Sequence, residues 1–501
     1  MNTFKYAGPP GTGKSTTLLD IVDRLLTAEV QPENIIYTTF TRAGAYEARD
    51  RACTRFNLAI DRLPYFRTLH SLCYQQSPNK SVLTFSDWCT IGRSVGIGFS
   101  CKIREEGIPR GHTKGDHLLS LISLAKVTQT TLRNIYDNME HWVVGGWTIN
   151  FSELENFQAT VDGYKATHGK IDYSDMLEQF LHNASDTHSD YLIVDEAQDL
   201  SRLQWAVIKK LGTKAKEIHI AGDDDQCIHE WNGADPDYFI NLPAITTVLP
   251  QSYRIPRHVH NLAEHIIRKI PHRIEKTYKP REDDGQIIHH QDLFSINMSQ
   301  HTWLLLARNQ IFLEQYRQYC NQHGLFFIGD DQIIKPSLLE ALGSWKELRH
   351  GKSISAASAK RCYKFMSVRD RITYGFKGSL EKVPDNTLLS LEDLIKNYGL
   401  LTKAPWIEAF NLLEPIEQSF LQAAEIRGDI FTRPRIEIST IHGAKGKEAD
   451  HVVICTDMTK RTWDAYQRNA KAEHRVWYVG VTRARKVLHI LNPQLTCHYS
   501  L

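Results

Sequence analysis

Short apolar runs recur along the chain and predict buried β-strands. Each run ends in a turn or passes into a helical pattern, which is typical of parallel strands covered by helices on both faces. One set is FKYA (4–7), IIYTTF (35–40), YLIVD (191–195) and EIHIAG (217–222); a second is WLLLA (303–307), RIEISTI (435–441), HVVIC (451–455) and VLHIL (487–491). The pattern therefore predicts an α/β fold with two parallel-sheet lobes, one in each half of the chain.

Two long stretches interrupt the strands with amphipathic helical patterns. In the first stretch these patterns include HLLSLISLAKV (117–127) and FSELENFQATVDGYK (151–165). We interpret them as helical inserts, one in each lobe. The predicted division is a first lobe at 1–77 and 186–242 with an insert at 78–185, and a second lobe at 243–349 and 431–501 with an insert at 350–430.

Composition is that of an ordinary globular protein, with 42% apolar and 24% charged residues among 501. No run approaches the roughly 20 apolar residues that cross a bilayer, so we expect no membrane association. The first residues pass from a strand directly into a glycine loop and leave no room for a secretory leader, so we expect a cytoplasmic protein, in a bacterium or a virus-infected cell. Nine dispersed cysteines, including Cys101, form no CxxC pair and predict reduced thiols.

The formal net charge of +2 gives no overall attraction to nucleic acid. Local basic clusters do occur at 268–281 and 460–486. Each could be a binding surface, although a single run of charges is more often a solvated face.

The segment GPPGTGKS (8–15) fits the G-x-x-x-x-G-K-[ST] pattern of a phosphate-binding loop, between a strand and a helix. Glycines let backbone N–H groups turn toward phosphate oxygens, and the helix N-terminus adds positive potential. Lys14 would reach the β- and γ-phosphates, and Ser15 would ligate Mg²⁺. The predicted nucleotide-binding residues here are Gly8, Pro9, Pro10, Gly11, Thr12, Gly13, Lys14, Ser15 and Thr16.

Two carboxylates, Asp195 and Glu196, follow a buried strand. Asp195 would hold the metal, and Glu196 would orient or deprotonate water. An acidic pair at a strand end often only caps the next helix. Together with a phosphate-binding loop, however, it predicts nucleoside triphosphate hydrolysis.

The rest of the chain resembles the UvrD/Rep-like branch of superfamily 1 DNA helicases. The resemblance rests on LIVDEAQDLS (192–201), IAGDDDQCIHEWNGA (220–234), PQSYR (250–254), STIHGAKGKEADHVVI (439–454) and VWYVGVTRAR (476–485). TTFTRAGAYEARDR (38–51) and FRTLHSLCY (66–74) are similar to the early DNA-contacting motifs of that family. The resemblance implies two RecA-like lobes, ATP and Mg²⁺ as cofactors, and single-stranded DNA and its duplex junctions as partners, with replication or repair proteins as further candidates.

The resemblance also implies roles for individual residues. Gln226 would sense the γ-phosphate, and Arg254 and Arg483 would reach that phosphate from the second lobe. Tyr253 would stack on adenine, and Glu448 would meet the ribose. An arginine presented in this way stabilises transition-state charge only when the lobes close, which would couple hydrolysis to movement.

Strand contacts implied by the family are Phe40, Arg42, Thr68, His70 and Trp231. Aromatic rings stack on any base, at about 1–3 kcal/mol per base, as a motor without sequence preference requires. Phe40 and His70 could instead be packing residues. The basic residues Arg361, Lys364, Arg369 and Arg371 of the second insert would hold duplex phosphates.

The sequence departs from the family at several positions. Because only five residues precede the first apolar strand, we expect the upstream glutamine-bearing segment that reads adenine in the family to be missing. Thr16 stands where many relatives have an arginine, and the nucleotide preference is therefore left open. His229 and Asn232 replace the usual tyrosine and arginine around Trp231. The resemblance predicts 3′-to-5′ unwinding. The alternatives are a translocase that strips proteins from single strands and a nucleotide-switched regulatory ATPase.

Overall fold

The computed structural model describes residues 2–40, 42–78, 81–100, 113–138, 148–183, 189–329 and 332–501. The strands are β1 (Asn2–Ala7), β2 (Ile35–Thr39), β3 (Phe66–Thr68), β4 (Tyr191–Asp195), β5 (Glu217–Gly222), β6 (Ile245–Val248), β7 (Gln286–His290), β8 (Trp303–Ala307), β9 (Phe327–Ile328), β10 (Ile354–Ser355), β11 (Leu388–Leu389), β12 (Ile436–Thr440), β13 (Ala449–Cys455) and β14 (Ala484–Leu491).

The helices are α1 (Lys14–Thr27), α2 (Arg42–Phe56), α3 (Leu69–Gln76), α4 (Phe85–Ser94), α5 (Lys114–Thr128), α6 (Leu132–Asn138), α7 (Phe151–His168), α8 (Tyr173–His182), α9 (Arg202–Gly212), α10 (Pro236–Asn241), α11 (Arg257–Ile267), α12 (Glu314–Gln322), α13 (Pro336–Arg349), α14 (Ala356–Lys364), α15 (Phe376–Glu381), α16 (Leu391–Asn397), α17 (Trp406–Ala409), α18 (Pro415–Arg427), α19 (Lys460–Arg468) and α20 (Ala470–Val481). Among the described residues, none of these helices combines the length and the apolar character that a membrane span needs.

The chain forms two compact units. The first runs to Asp284 and includes Tyr466–Thr482, and the second comprises Gly285–Ala465 and Arg483–Leu501. Each contains a six-stranded parallel sheet, in the order β3-β2-β4-β5-β1-β6 in the first and β7-β14-β13-β8-β12-β9 in the second. The predicted α/β fold with two parallel-sheet lobes is therefore confirmed.

The first sheet is packed because its central strands bury both faces. All five residues of β2 are buried, and helix α1 places Leu18, Leu19 and Val22 against the sheet. Helices α4 to α7 follow β3 and share a separate core around Leu118, Phe157 and their neighbours, whereas α8 packs in the core of the first sheet. Parts of this predicted insert, including Cys101, lie outside the described residues.

The first helical insert also contains a partly buried ion cluster. Lys126 and Lys165 both donate to Asp172 and Asp175, at 2.8–3.1 Å. Asp172 and Asp175 form the capping box at the start of α8, so the two lysines tie α5 and α7 to that helix start.

In the second unit, helices α13–α18 lie between β9 and β12 and share one apolar core, which includes Trp345, Tyr363 and Phe410. Strands β10 and β11 pair antiparallel beside it. The helices that follow β3 in the first unit and those between β9 and β12 in the second agree with the helical patterns seen in the sequence.

One predicted boundary differs from the structure. The sequence pattern predicts residues 243–284 in the second lobe, whereas β6 pairs in parallel with β1, with Phe4 beside Ile245, and the segment up to Asp284 belongs to the first unit. Residues 466–482 belong to it as well, since α20 packs on α11. Strand β6 escapes the sequence pattern because it is short and largely exposed. The remaining domain division stays a prediction.

Three histidines cross neighbouring strands of the second sheet as one hydrogen-bonded row. His290 Nε2 lies 2.9 Å from His489 Nδ1, and His489 Nε2 lies 3.0 Å from His451 Nδ1. Trp303 stacks on His451, with ring centroids 4.4 Å apart. Burial lowers the pKa of all three rings, and burial together with the two neighbouring histidines lowers the pKa of His489 to about 3. The row is therefore built from neutral imidazoles.

We expect the histidine row to make stability depend on pH. Its contribution is complete above pH 6.5 and is lost as pH falls toward 3, because the unfolded chain takes up protons that the folded chain excludes. For His489 the slope is at most about 1.4 kcal/mol per pH unit. Urea unfolding between pH 7.5 and 5.0 should show this slope, and His489→Gln should flatten it. The exposed His350→Gln is the matched control; equal slopes in both variants would contradict the assignment.

Candidate functional site

A glycine loop joins β1 to α1 at the carboxyl edge of the first sheet. Gly11 and Gly13 have φ values of 73° and 79°, a conformation that glycine adopts at little cost. Gly13 is the N-cap of α1 and supplies no side-chain cap, so the first N–H groups of the helix face the loop. The arrangement is suited to binding an anion.

The hydroxyl of Ser15 points to the end of β4. Ser15 Oγ donates to Asp195 Oδ2 at 2.7 Å, and Tyr37 OH donates to the same oxygen at 3.1 Å. Lys14 Nζ donates to the carbonyl oxygen of Gly8 at 2.8 Å, across the loop. Strand pairing explains the meeting of Tyr37 and Asp195, because β2 and β4 are adjacent parallel strands. Tyr37 was not among the predicted site residues.

Asp195 and Glu196 occupy different environments despite being neighbours. Burial, reinforced by the nearby Glu196 charge, raises the pKa of Asp195, while Ser15 and Lys14 oppose that rise. Glu196 has a φ of 53°, in the left-handed region that is uncommon outside glycine. This turn directs the two side chains differently, with Asp195 toward Ser15 and Glu196 toward Gln198.

Gln198 links the acidic pair to the next strand. Its Nε2 donates to Glu196 Oε2 at 2.6 Å, and its Oε1 accepts from the backbone N–H of Asp223 at 2.9 Å. Asp223 Oδ2 in turn accepts from Gln226 Nε2 at 2.7 Å. Glu196 and Gln226, 30 positions apart, thus belong to one hydrogen-bonded network. Gln198 lies in the motif LIVDEAQDLS, which supports the family resemblance, but the sequence alone assigns this glutamine no role.

The segment around Arg254 is attached to the glycine loop. Tyr253 N donates to Gly11 O at 2.8 Å, and Ser252 Oγ donates to Pro10 O at 2.8 Å. Tyr253 exposes 72% of its surface, as a ring available for stacking would. These bonds hold Arg254 in the first unit, whereas the resemblance implies that it acts from the second lobe. Its role at the γ-phosphate stays a prediction.

Arg483 and Glu448 belong to the second unit. The Arg483 side chain is buried, and its Nη1 donates to Lys447 O at 3.4 Å. Glu448 is partly exposed and pairs with Arg485 at 3.3 Å. Both residues flank the start of β13 and β14, which are paired strands.

Three rings form a row beside the loop after β2. His229 stacks on Phe40, with centroids 6.1 Å apart, and meets Trp231 edge to face at 5.9 Å. Trp231 is 37% exposed, whereas Phe40 also packs against the core of the first sheet. The predicted strand contacts Phe40 and Trp231 are therefore brought together. His229, noted in the sequence only as a departure from the family, connects them.

Thr68 and His70 lie inside the first unit. Thr68 Oγ1 accepts from Ser71 N and caps helix α3. His70 packs edge to face against Tyr173, and burial, with a smaller effect of Arg42, lowers its pKa to about 4. Arg42 itself is exposed at the start of α2. Of these three predicted strand contacts, only Arg42 is presented at the surface.

The basic residues of the second insert have contacts within that unit. Arg361 pairs with Glu340 at 3.3 Å, and Arg371 Nε donates to Glu408 O at 2.8 Å. Arg369 lies over the exposed ring of Tyr374 at 5.9 Å. A role of these residues on duplex phosphates stays a prediction.

Two family models match the chain. The UvrD/REP helicase N-terminal domain matches residues 3–85 and 107–244, and the UvrD-like helicase C-terminal domain matches residues 332–493. The chain belongs to the UvrD-like helicase family. The motifs that carry the resemblance fall within these ranges, except PQSYR (250–254), which lies between the two models.

Several relatives of this UvrD-like chain are known. The ATP-dependent DNA helicase PcrA of Bacillus subtilis (strain 168) is 22% identical over 306 residues, 55% of this chain and 39% of that protein. The putative ATP-dependent DNA helicase YjcD of the same organism is 24% identical over 297 residues, 55% and 38% respectively. The match thus spans about two fifths of each relative. The crystal structure of Arterivirus nonstructural protein 10 (helicase) has 9% identity and a TM-score of 0.34, and covers 98% of this chain and 59% of that one.

The glycine loop of this UvrD-like protein yields a test of the contact with the segment around Arg254. Gly11 and Gly96 both have a left-handed backbone. A Cβ added at Gly11 would lie 2.3 Å from Arg254 Cβ, whereas a Cβ added at Gly96 would have no neighbour within 4 Å among the described residues. Gly96→Ala should therefore lower the free energy of unfolding by about 1 kcal/mol. Gly11→Ala should add a packing penalty of about 1–3 kcal/mol.

Denaturant unfolding of the two alanine variants measures this difference. An equal loss of unfolding free energy in the two variants would mean that Arg254 does not pack against Gly11.

Proposed function

We propose that the protein is an ATP-dependent DNA helicase or translocase that couples hydrolysis of Mg-ATP to movement along single-stranded DNA. The observation that carries the proposal is the network at the sheet edge, in which the Ser15–Asp195 contact lies beside Glu196 and Gln226. Phosphate loop, metal-binding pair, base and sensor are the parts that hydrolysis of a nucleoside triphosphate needs.

The donor set fits Mg-ATP. A hydroxyl and a carboxylate oxygen, the ligands that Mg²⁺ prefers, are already within 2.7 Å of each other at Ser15 and Asp195. Lys14 and the N-terminus of α1 provide positive potential where phosphates would lie. When bound, the metal would neutralise charge on the phosphate oxygens. Tyr253 is exposed beside the loop and is proposed to stack on the base.

In the proposed mechanism Glu196 accepts a proton from the attacking water. Gln198 donates to this carboxylate at Oε2 and so fixes its position, and the carboxylate is proposed to orient the water. Gln226 senses the γ-phosphate, and its amide is held by Asp223. Arg254 acts from beside Gly11, and Arg483 is proposed to act from the second unit on charge that develops in the transition state.

The aromatic row Phe40–His229–Trp231 is the proposed path of the DNA strand, with Arg42 as a phosphate contact. Stacking on exposed rings gives grip without sequence preference. Thr68 and His70 are proposed to support this surface from beneath rather than to touch the strand, because both are buried.

We propose 3′-to-5′ unwinding on the grounds of family membership. The decisive experiment measures ATPase rate with and without a single-stranded oligonucleotide, then unwinding of duplexes with a 3′ or a 5′ tail. Hydrolysis that ignores DNA would favour a nucleotide-switched regulator. Stimulated hydrolysis without strand separation would favour a translocase, and unwinding from the 5′ tail would reverse the polarity.

Lys14→Ala and Glu196→Gln should both abolish turnover but differ in nucleotide binding. Loss of the base should lower kcat by about 10²–10⁴-fold while nucleotide is retained, because the phosphate and metal contacts remain. Lys14→Ala should weaken binding of a fluorescent ATP analogue. Near-normal hydrolysis by Glu196→Gln would refute its role as base.

Trp231→Ala should leave DNA-free hydrolysis near normal and weaken the affinity for a single strand by about 5- to 150-fold, the equivalent of one lost stacking contact. Fluorescence anisotropy of a labelled oligonucleotide measures this. Tyr374→Ala, an exposed aromatic of the second insert, is the control. An unchanged affinity in Trp231→Ala would remove this residue from the strand path.

A further inference from the structure

Three consecutive aspartates, Asp223, Asp224 and Asp225, lie buried immediately after β5. Charged carboxylates are costly to bury unless cations and hydrogen-bond donors compensate them. They precede Gln226, the proposed γ-phosphate sensor, in the same 3-10 turn, Asp224–Gln226. Whatever compensates these charges therefore also fixes the position of the turn.

The compensation comes from a distant part of the same unit. Lys276 Nζ lies 3.1 Å from Asp223 Oδ1, 2.5 Å from Asp224 Oδ1 and 2.8 Å from Asp225 Oδ2, and only 1% of its side chain is exposed. Arg273 forms a two-pronged pair with Asp225, at 2.9 and 2.7 Å. Ile274 N donates to Asp224 Oδ2 at 3.0 Å. Although burial opposes both shifts, the carboxylates raise the pKa of Lys276, and Lys276 and Arg273 hold the pKa of Asp225 below its usual range. At Asp224 burial prevails over Lys276 and raises the pKa.

The ion cluster is connected directly to the proposed chemistry. Asp223 holds Lys276 with one carboxylate oxygen and Gln226 with the other. Its backbone N–H donates to Gln198, which holds Glu196. Loss of the Lys276 ammonium would therefore alter the positions of both Gln226, the proposed sensor, and Glu196, the proposed base.

The segment that carries Lys276 is also attached to the glycine loop. Its two ends are joined to each other, since Lys279 N donates to Pro250 O and Ser252 N donates to Lys279 O, both at 2.8 Å. Ser252 Oγ and Tyr253 N donate to Pro10 and Gly11 of the loop. Residues 250–281, which we term the bracket, thus hold the phosphate loop at one point and the sensor turn at another.

We propose that Lys276 and Arg273 are positioning residues for hydrolysis, which set Gln226 and Glu196 in place through Asp223–Asp225 while the bracket fixes that turn relative to the glycine loop. The proposal rests on the proposed ATPase function. It assigns a role to the basic cluster at 268–281 that is internal, in contrast to a solvated or DNA-binding face.

The test compares Lys276→Met with Lys276→Arg, in the full chain and without DNA. Methionine preserves length and removes the charge, whereas arginine retains it. The exposed Lys279→Met, on the same segment, is the control because only its backbone belongs to the bracket. We expect Lys276→Met to lower kcat at least tenfold with less than a threefold change in the Kd of a fluorescent ATP analogue. Lys276→Arg should recover most of the rate.

Amide hydrogen exchange gives a second measurement that does not depend on turnover. Exchange at 223–227 should quicken in Lys276→Met and stay as in the parent in Lys279→Met. Arg273→Gln, at the edge of the cluster, serves the same comparison if Lys276→Met does not fold.

The outcomes separate the two proposals. A parent protein that does not hydrolyse ATP would overturn the proposed function and the positioning role with it. An active parent with unchanged kcat in Lys276→Met, or with an equal loss in Lys279→Met, would overturn the positioning role alone. Parallel losses of kcat and nucleotide affinity with unchanged exchange at 223–227 would also overturn it.

Discussion

The parallel alignment of the first sheet is the constraint on which the candidate site depends. Because all six strands run the same way, their carboxyl ends meet at one edge, and a short loop after each strand places its side chains there. The glycine loop follows β1, the acidic pair lies at the end of β4 and the sensor turn follows β5. Ser15 and Asp195, 180 positions apart, thereby come within hydrogen-bond distance. Antiparallel pairing of the same strands would send half of these loops to the opposite edge.

The local sequence was sufficient for the fold class and the phosphate loop because those features depend on neighbours in the chain. Apolar runs reveal buried strands, and the spacing of glycine, lysine and serine reveals a loop before a helix. The pairing of Tyr37 with Asp195 could not be predicted in this way, since it requires strand order. Likewise, the sequence around Lys276 indicates a solvated basic run, because only the fold brings three buried aspartates next to this lysine.

The family resemblance assigns the candidate site residues to motifs, but it does not predict whether their side chains are exposed or buried. Thr68 and His70 fall in a motif of expected strand contacts, yet one caps a helix and the other packs in the interior. Arg254 lies in the expected motif but in the first unit, because backbone bonds to the glycine loop hold its segment there. Burial and attachment are tertiary properties, which a motif does not encode.

The row of histidines in the second sheet has a consequence for where its hydrogen atoms lie. Each neutral imidazole has one N–H, so His489 must donate to one neighbour and accept from the other. The choice of donor nitrogen at the central ring therefore dictates which of its partners must present an N–H and which a lone pair. The tautomers of His290 on β7, His489 on β14 and His451 on β13 are therefore set jointly. A contact that changed the tautomer of His451 would have to reverse the direction of donation in both hydrogen bonds of the row.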